Sequence, residues 1–145
     1  MESHERPLLG VSVCLSKDED VLLVRRGKTP YRGLWSLPGG GVRFGEALRG
    51  AAKRELFEET RIVAGDLDFI TLHEAIGERS HAVIAVFAGD LAADALPRAA
   101  DDAEALEILN LAEVARREAA GETTPGLVAV IERCLAMRRG RSDPV

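Results

Sequence analysis

The segment from residue 46 to residue 60 constrains this chain more than any other. It has no proline and is rich in Ala, Leu, Arg and Glu, so it predicts an α-helix over 46–60 with an acid, Glu46, in its first turn. At roughly 100° per residue, Glu55, Glu58 and Glu59 fall within an arc of about 100°. Leu48, Ala51 and Ala52 share that side one to two turns earlier, so the carboxylates lie on a face that should point toward protein. Three anions there repel one another as i,i+3 and i,i+4 neighbours. They also sit in the last turns, where the helix dipole disfavours negative charge. A solvated acidic face would explain a bare E-x-x-E-E, with Arg54 and Arg61 as neutralising cations. A hard divalent cation with oxygen ligands would relieve both conflicts, and conflicts of this kind concentrate at functional sites.

The surrounding sequence reads as one α/β domain over 1–145, with tails at 1–7 and 140–145. Residues 11–15 and 21–25 read as strands joined by the polar turn 16–20. A loop follows over 27–33, then a short extended piece at 34–37 ended by Pro38. Gly39-Gly40-Gly41 reads as backbone free to take dihedrals that other residues avoid. Strands are expected at 67–74, 80–89 and 105–110, and helices at 111–120 and from Thr123-Thr124-Pro125 to about 139. This order predicts a mixed sheet between helices.

The ordinary globular balance, with 30% charged residues, excludes a disordered or collagen-like chain. Apolar runs such as 82–88 are too short to span a bilayer, and the acidic N-terminus has no signal-peptide h-region. A cytoplasmic protein with no membrane association is expected. A net charge of −5 argues against a nucleic-acid partner but not against a phosphate-bearing substrate. Cys14 and Cys134 have no metal-ligand spacing and sit in apolar contexts, which reads as two small buried hydrophobes.

Gly40, Glu46 and Arg54-Glu55-Leu56-Phe57-Glu58-Glu59-Thr60-Arg61-Ile62 together resemble the Nudix box, G-x5-E-x7-R-E-U-x-E-E-x-G-U, where U is a bulky aliphatic. Every fixed position matches except the last Gly, which is Arg61. A glycine there commonly takes the left-handed conformation, so Arg61 is expected either to cost about 1 kcal/mol there or to leave the helix ending differently, with an exit turn to Gly65, in neither case touching a ligand. Residues 34–40 are similar to the family's lead-in to the box. The resemblance implies the Nudix fold, an α/β/α sandwich around a mixed sheet. It also implies Mg²⁺ or Mn²⁺ held by Glu55, Glu58, Glu59 and the Gly40 carbonyl. Arg54 would hold the glutamates in place, and Glu46 would orient Arg54 or a metal-bound water. The implied reaction is attack of water on a phosphoanhydride, with Glu58 or Glu59 as base and the loop residues Glu78 and Glu104 as alternatives.

Residues 21–27, 33–40, 80–84, Asp101-Asp102-Ala103 and 124–127 look like bacterial ADP-ribose pyrophosphatase-type members, so a nucleoside diphosphate derivative is the expected substrate. One departure is that Ala105 stands where the subgroup tends to carry an acid, three residues before Ile108 at the aromatic position. Arg25 and Arg26, with Lys28 and Arg32, are candidate phosphate contacts, Arg26 foremost. Trp35 could stack on a base, but packing against the 46–60 helix is the favoured expectation. A MutT-type nucleoside triphosphate pyrophosphohydrolase and a non-catalytic Nudix regulator are the competing readings. A homodimer is expected from resemblance alone.

Overall fold

Val11, Val13 and Leu15 alternate toward one side of a strand while Cys14 faces the other, and all four are buried. A strand apolar on both faces belongs at the centre of a covered sheet. In a computed structural model, which describes residues 6–95, 97–99 and 103–142, this strand is β1 (Leu8–Lys17). It continues to Lys17, so the turn to β2 (Asp20–Arg26) is tighter than the polar run 16–20 suggested.

Two short strands follow, β3 (Trp35–Ser36) and β4 (Gly39–Gly41). After them come α1 (Leu48–Thr60), β5 (Asp68–Ile76), β6 (His81–Asp90), β7 (Ala103–Asn110), α2 (Leu111–Ala119) and α3 (Leu127–Ser142). The sheet runs β3-β2-β1-β6-β5, with β4 also beside β1 and β7 also beside β2. β1 and β6 run parallel over Leu8↔Ala82 to Ser16↔Asp90, and the other strand pairs are antiparallel. The sheet is therefore mixed, as expected.

Each face has its own core. Ala51, Ala52 and Leu56 of α1 pack on Val11, Val13, Leu15, Leu22, Ala85 and Phe87. On the opposite face Val114 of α2 and Leu127, Ile131, Cys134 and Leu135 of α3 cover Cys14, Val21, Leu23, Val86 and Ala88. The α3 residues recur at i, i+4, i+7 and i+8, the spacing of one helical stripe. The two cores make the expected α/β/α sandwich.

Several boundaries differ from the sequence expectation for local reasons. α1 starts at Leu48, after Ala47, and has no acid in its first turn; Glu46 precedes the helix and is used elsewhere. Gly39, Gly40 and Gly41 form an ordinary strand, and none of them has a positive φ. α3 starts at Leu127 rather than at Thr123, because Thr123 is buried and bridges Trp35. A Glu118 carboxylate from α2 accepts from the Val128 N–H at 3.0 Å and supplies the cap from outside the helix. α3 then continues through 140–142, which were expected in the C-terminal tail. Residues 1–5 and 143–145 of the expected tails, and Asp101-Asp102, lie outside the described residues.

Arg61 occupies the left-handed region at φ 63°, as its position predicted, and its N–H bonds to the Phe57 carbonyl at 2.8 Å. Its guanidinium lies 5.3 Å from the centre of the Phe57 ring. Arg61→Gly relieves about 1 kcal/mol of backbone strain but loses a cation–π contact worth about 0.5 kcal/mol. We expect a net gain of about 0.5 kcal/mol by denaturant titration. A destabilisation would show that the Arg61 side chain outweighs its backbone.

Candidate active site

The first half of β1 pairs with β4, in the register Gly10↔Gly41, Val11↔Gly40 and Ser12↔Gly39. This contact brings the glycines under the C-terminal half of α1, and the need for glycine is spatial. A Cβ on Gly39 would lie 2.1 Å from the Val11 carbonyl oxygen. A Cβ on Gly40 would lie 2.5 Å from the Glu55 carboxyl carbon, so Glu55 rests directly over the Gly40 backbone. The Gly39 N–H donates to Glu59 Oε1 at 2.8 Å, which satisfies a carboxylate that is only 8% exposed.

Arg54 organises the remaining acids. Its Nε and Nη2 donate to the two oxygens of Glu46 at 2.7 and 2.9 Å, a bidentate pair. Nη1 donates to Glu55 at 2.9 Å and to Glu58 at 3.1 Å, and Nη2 also reaches the Gly41 carbonyl at 3.0 Å. A planar five-donor guanidinium suits this role, and an ammonium could not span the same set. The cation that answers the mutual repulsion of the helix glutamates is thus, in this conformation, a side chain of the same helix. Arg43 adds to it: its N–H donates to Glu46 at 3.0 Å and its guanidinium lies 3.6 Å from Glu58. Nothing in the sequence spacing marked Arg43, the Gly39 amide or the Gly41 carbonyl, because their roles depend on how the 39–45 turn folds back.

The Arg54 guanidinium, and then the Arg43 amide, hold the Glu46 carboxyl down at about 2. Because the folded value lies below the unfolded one, the stabilisation from this pair is complete above the unfolded Glu value of about 4.3. It is lost as pH falls toward about 2. Glu46→Gln should therefore flatten the acid limb of the stability–pH curve between those values. An unchanged acid limb would show that the pair contributes nothing.

The other candidate residues divide between the two faces of the sheet. Alternation along β2 puts Arg26 on the α1 face, where its Nε donates to the Pro30 carbonyl at 2.7 Å and its backbone closes the 27–34 loop. Arg25 points to the opposite face. It bonds Glu104 at 3.2 Å and lies 6.0 Å from the Trp35 ring centre, while Arg117 lies 5.1 Å from that ring. Trp35 packs with the α2–α3 core, so the expectation that it packs on the 46–60 helix is overturned. Its strand is pinned there by bonds to the 122–124 segment, which the local sequence does not reveal. Glu104 is occupied by Arg25 and faces Arg32 at 3.9 Å, and Glu78 lies exposed in the turn between β5 and β6.

A divalent cation suits the donors at this site. They are hard oxygens, and the missing Cβ of Gly40 leaves the space in which Glu55 meets the backbone. Among the described residues no three acidic, thiol or imidazole side chains converge at one point, because Arg54 draws Glu55 and Glu58 to itself.

The site is an acidic helix held over a glycine strand, on a mixed sheet covered by helices on both faces. The model of the NUDIX domain family matches residues 6–135, and the chain belongs to that family. An ADP-ribose pyrophosphatase of Methanocaldococcus jannaschii is 32% identical over 107 residues, which is 72% of this chain and 63% of that protein. The match thus spans less than two thirds of that relative's length. A MutT NUDIX hydrolase from Burkholderia pseudomallei superposes with a TM-score of 0.69 at 29% identity, covering 74% of this chain and 86% of its own. The NUDIX domain of Shewanella oneidensis NrtR, solved with ADP ribose, has a TM-score of 0.76 at 24% identity, covering 93% of this chain and 89% of its own. This last likeness is one of fold.

Proposed function

We propose that this protein is a divalent-metal-dependent pyrophosphohydrolase that cleaves the phosphoanhydride of a nucleoside diphosphate derivative, with ADP-ribose as the first substrate to test. The observation that carries this reading is the gathering of Glu55, Glu58 and Glu59 at the Gly39–Gly41 strand by Arg54 and the Gly39 amide. The substrate follows from the M. jannaschii relative, an ADP-ribose pyrophosphatase.

Glu55, Glu58, Glu59 and the Gly40 carbonyl would hold Mg²⁺ or Mn²⁺, which clamps diphosphate oxygens and lowers the pKa of a water. Arg54 fixes the carboxylates and, through Glu46, is itself fixed. Glu58, the most exposed of the acids bound to Arg54 with its side chain 33% accessible, is the best placed to accept the proton of an attacking water. Glu59 is the second candidate for that role. Arg26 is the cation on the α1 face that could meet a substrate phosphate. Arg25 and Trp35 would contribute from the other side of the sheet, and only where the substrate reaches around its end.

Incubation with ADP-ribose, NADH, dinucleoside polyphosphates and nucleoside triphosphates, each with Mg²⁺ or Mn²⁺ and products read by mass, tests the reading. AMP and ribose 5-phosphate from ADP-ribose are expected. Pyrophosphate from a triphosphate would establish the MutT-type alternative, and tight binding without products would establish a regulator.

Among the described residues no helix is long and apolar enough to cross a membrane. A cytoplasmic setting completes the proposal on resemblance alone. A homodimer gains one further support: β5 ends the sheet and exposes Phe69, Leu72 and Ile76. Sedimentation equilibrium decides between dimer and monomer.

A further inference from the structure

Cys14 and Cys134 are about 120 positions apart in the chain, yet they meet in the core between β1 and α3. Both are free, both have no solvent exposure, and the two thiols hydrogen-bond to each other. Nothing in the proposed chemistry uses them. Both belong to the core cluster between the sheet and the α2–α3 layer.

A cleft of about 570 Å³ reaches Arg138 of α3. Its walls include Leu15, which points to the face of β1 opposite Cys14, and Arg138, one turn beyond Cys134. Arg138 closes this side by pairing with Asp68 at 2.9 Å and with Asp90.

We infer that Cys14 and Cys134 form a latent dithiol that a small two-electron oxidant closes into an internal disulfide, stapling α3 to the central strand of the sheet. Each thiol gives up one hydrogen and a sulfur–sulfur bond forms. A peroxide or a low-molecular-weight disulfide takes the two electrons and two protons, becoming water or two thiols. The bond would close a loop spanning most of the chain, the case in which a cross-link restricts the unfolded state most. The hydrogen bond between the thiols, and then burial, keep the Cys14 thiol protonated well above its ordinary range. The reduced pair is consequently inert until α3 loosens.

The test treats the folded full-length chain with diamide, whose azo group accepts the two hydrogens. The expected result is loss of two hydrogens in the intact mass, a Cys14–Cys134 cross-linked peptide in a non-reducing digest, and a Tm increase on the order of 10 °C. Dithiothreitol should reverse all three. Arg138→Gln should speed closure several-fold, because it removes the ion pairs that hold this end of α3. Cys134→Ser should abolish both the mass change and the Tm gain. The inference is overturned if the folded chain keeps both thiols free in diamide while the guanidinium-unfolded chain cross-links. Cross-links only between molecules, or a Tm gain that persists in Cys134→Ser, would overturn it equally.

Discussion

Glu58→Gln and Glu59→Gln should each lower turnover at least 100-fold, on the scale by which a positioned acid–base group contributes, while leaving the fold intact. The substitutions are nearly isosteric, and their surroundings explain why the fold survives. In Glu58→Gln the amide oxygen can still accept from Arg54 Nη1, which now reaches it at 3.1 Å. In Glu59→Gln it can still accept the Gly39 N–H, now at 2.8 Å. What each variant loses is one negative charge of the glutamate cluster, and with it a proton acceptor or a hard ligand. The measurement is kcat from product release with Mg²⁺, together with circular dichroism and Tm for each variant. Wild-type turnover in both would remove these glutamates from the mechanism. Wild-type turnover in Glu59→Gln alone would leave Glu58 as the base and reduce Glu59 to a brace for β4.

Gly39→Ala and Gly40→Ala should fail in different ways, although they are neighbours in one three-residue strand. At Gly39 the added methyl meets backbone: the Val11 carbonyl oxygen at 2.1 Å and the Ser12 Cα at 2.9 Å. Neither atom can move without parting β4 from β1. A loss of about 3 kcal/mol or more is expected, read as a fall in Tm of roughly 10 °C or as failure to fold. At Gly40 the methyl meets only the end of the Glu55 side chain, with its three carboxyl atoms at 2.5–2.6 Å. That side chain can swing away, so Gly40→Ala should fold with a loss of no more than about 1 kcal/mol yet lose most of its activity and its metal-dependent thermal shift. Equal stability losses at the two positions would contradict the contact geometry. Normal activity in Gly40→Ala would contradict the place of Glu55 in the site.

The same pair of glycines shows how far local sequence reached. Their importance was legible, but the reason inferred was conformational freedom, and the structure shows a lack of space. A sequence reveals that a residue has no Cβ; it does not reveal what stands where the Cβ would be. Arg61 is the opposite case. Its left-handed backbone followed from its place after a helix, because a helix end is a local event, and the fold left that expectation untouched.

By itself the sequence determined the alternating strands, the box helix with its three carboxylates on the buried side, the family, and the mixed sheet between helices. Each of these is written in short-range periodicity or in a motif of fixed spacing. The tertiary structure alone decided three other things. It added Arg43 and the Gly39 amide to Arg54 around the helix glutamates. It placed Trp35 and Arg25 across the sheet from the site they were expected to line. And it brought Cys14 against Cys134. The physical reason is common to all three: each contact depends on how turns fold back, on which strands pair and on which face each helix settles, and no local pattern encodes that choice. The box helix could be read from its own letters as acidic, partly buried and held by Arg54, but the parts played by Arg43 and the Gly39 amide became visible only when the chain folded back over it.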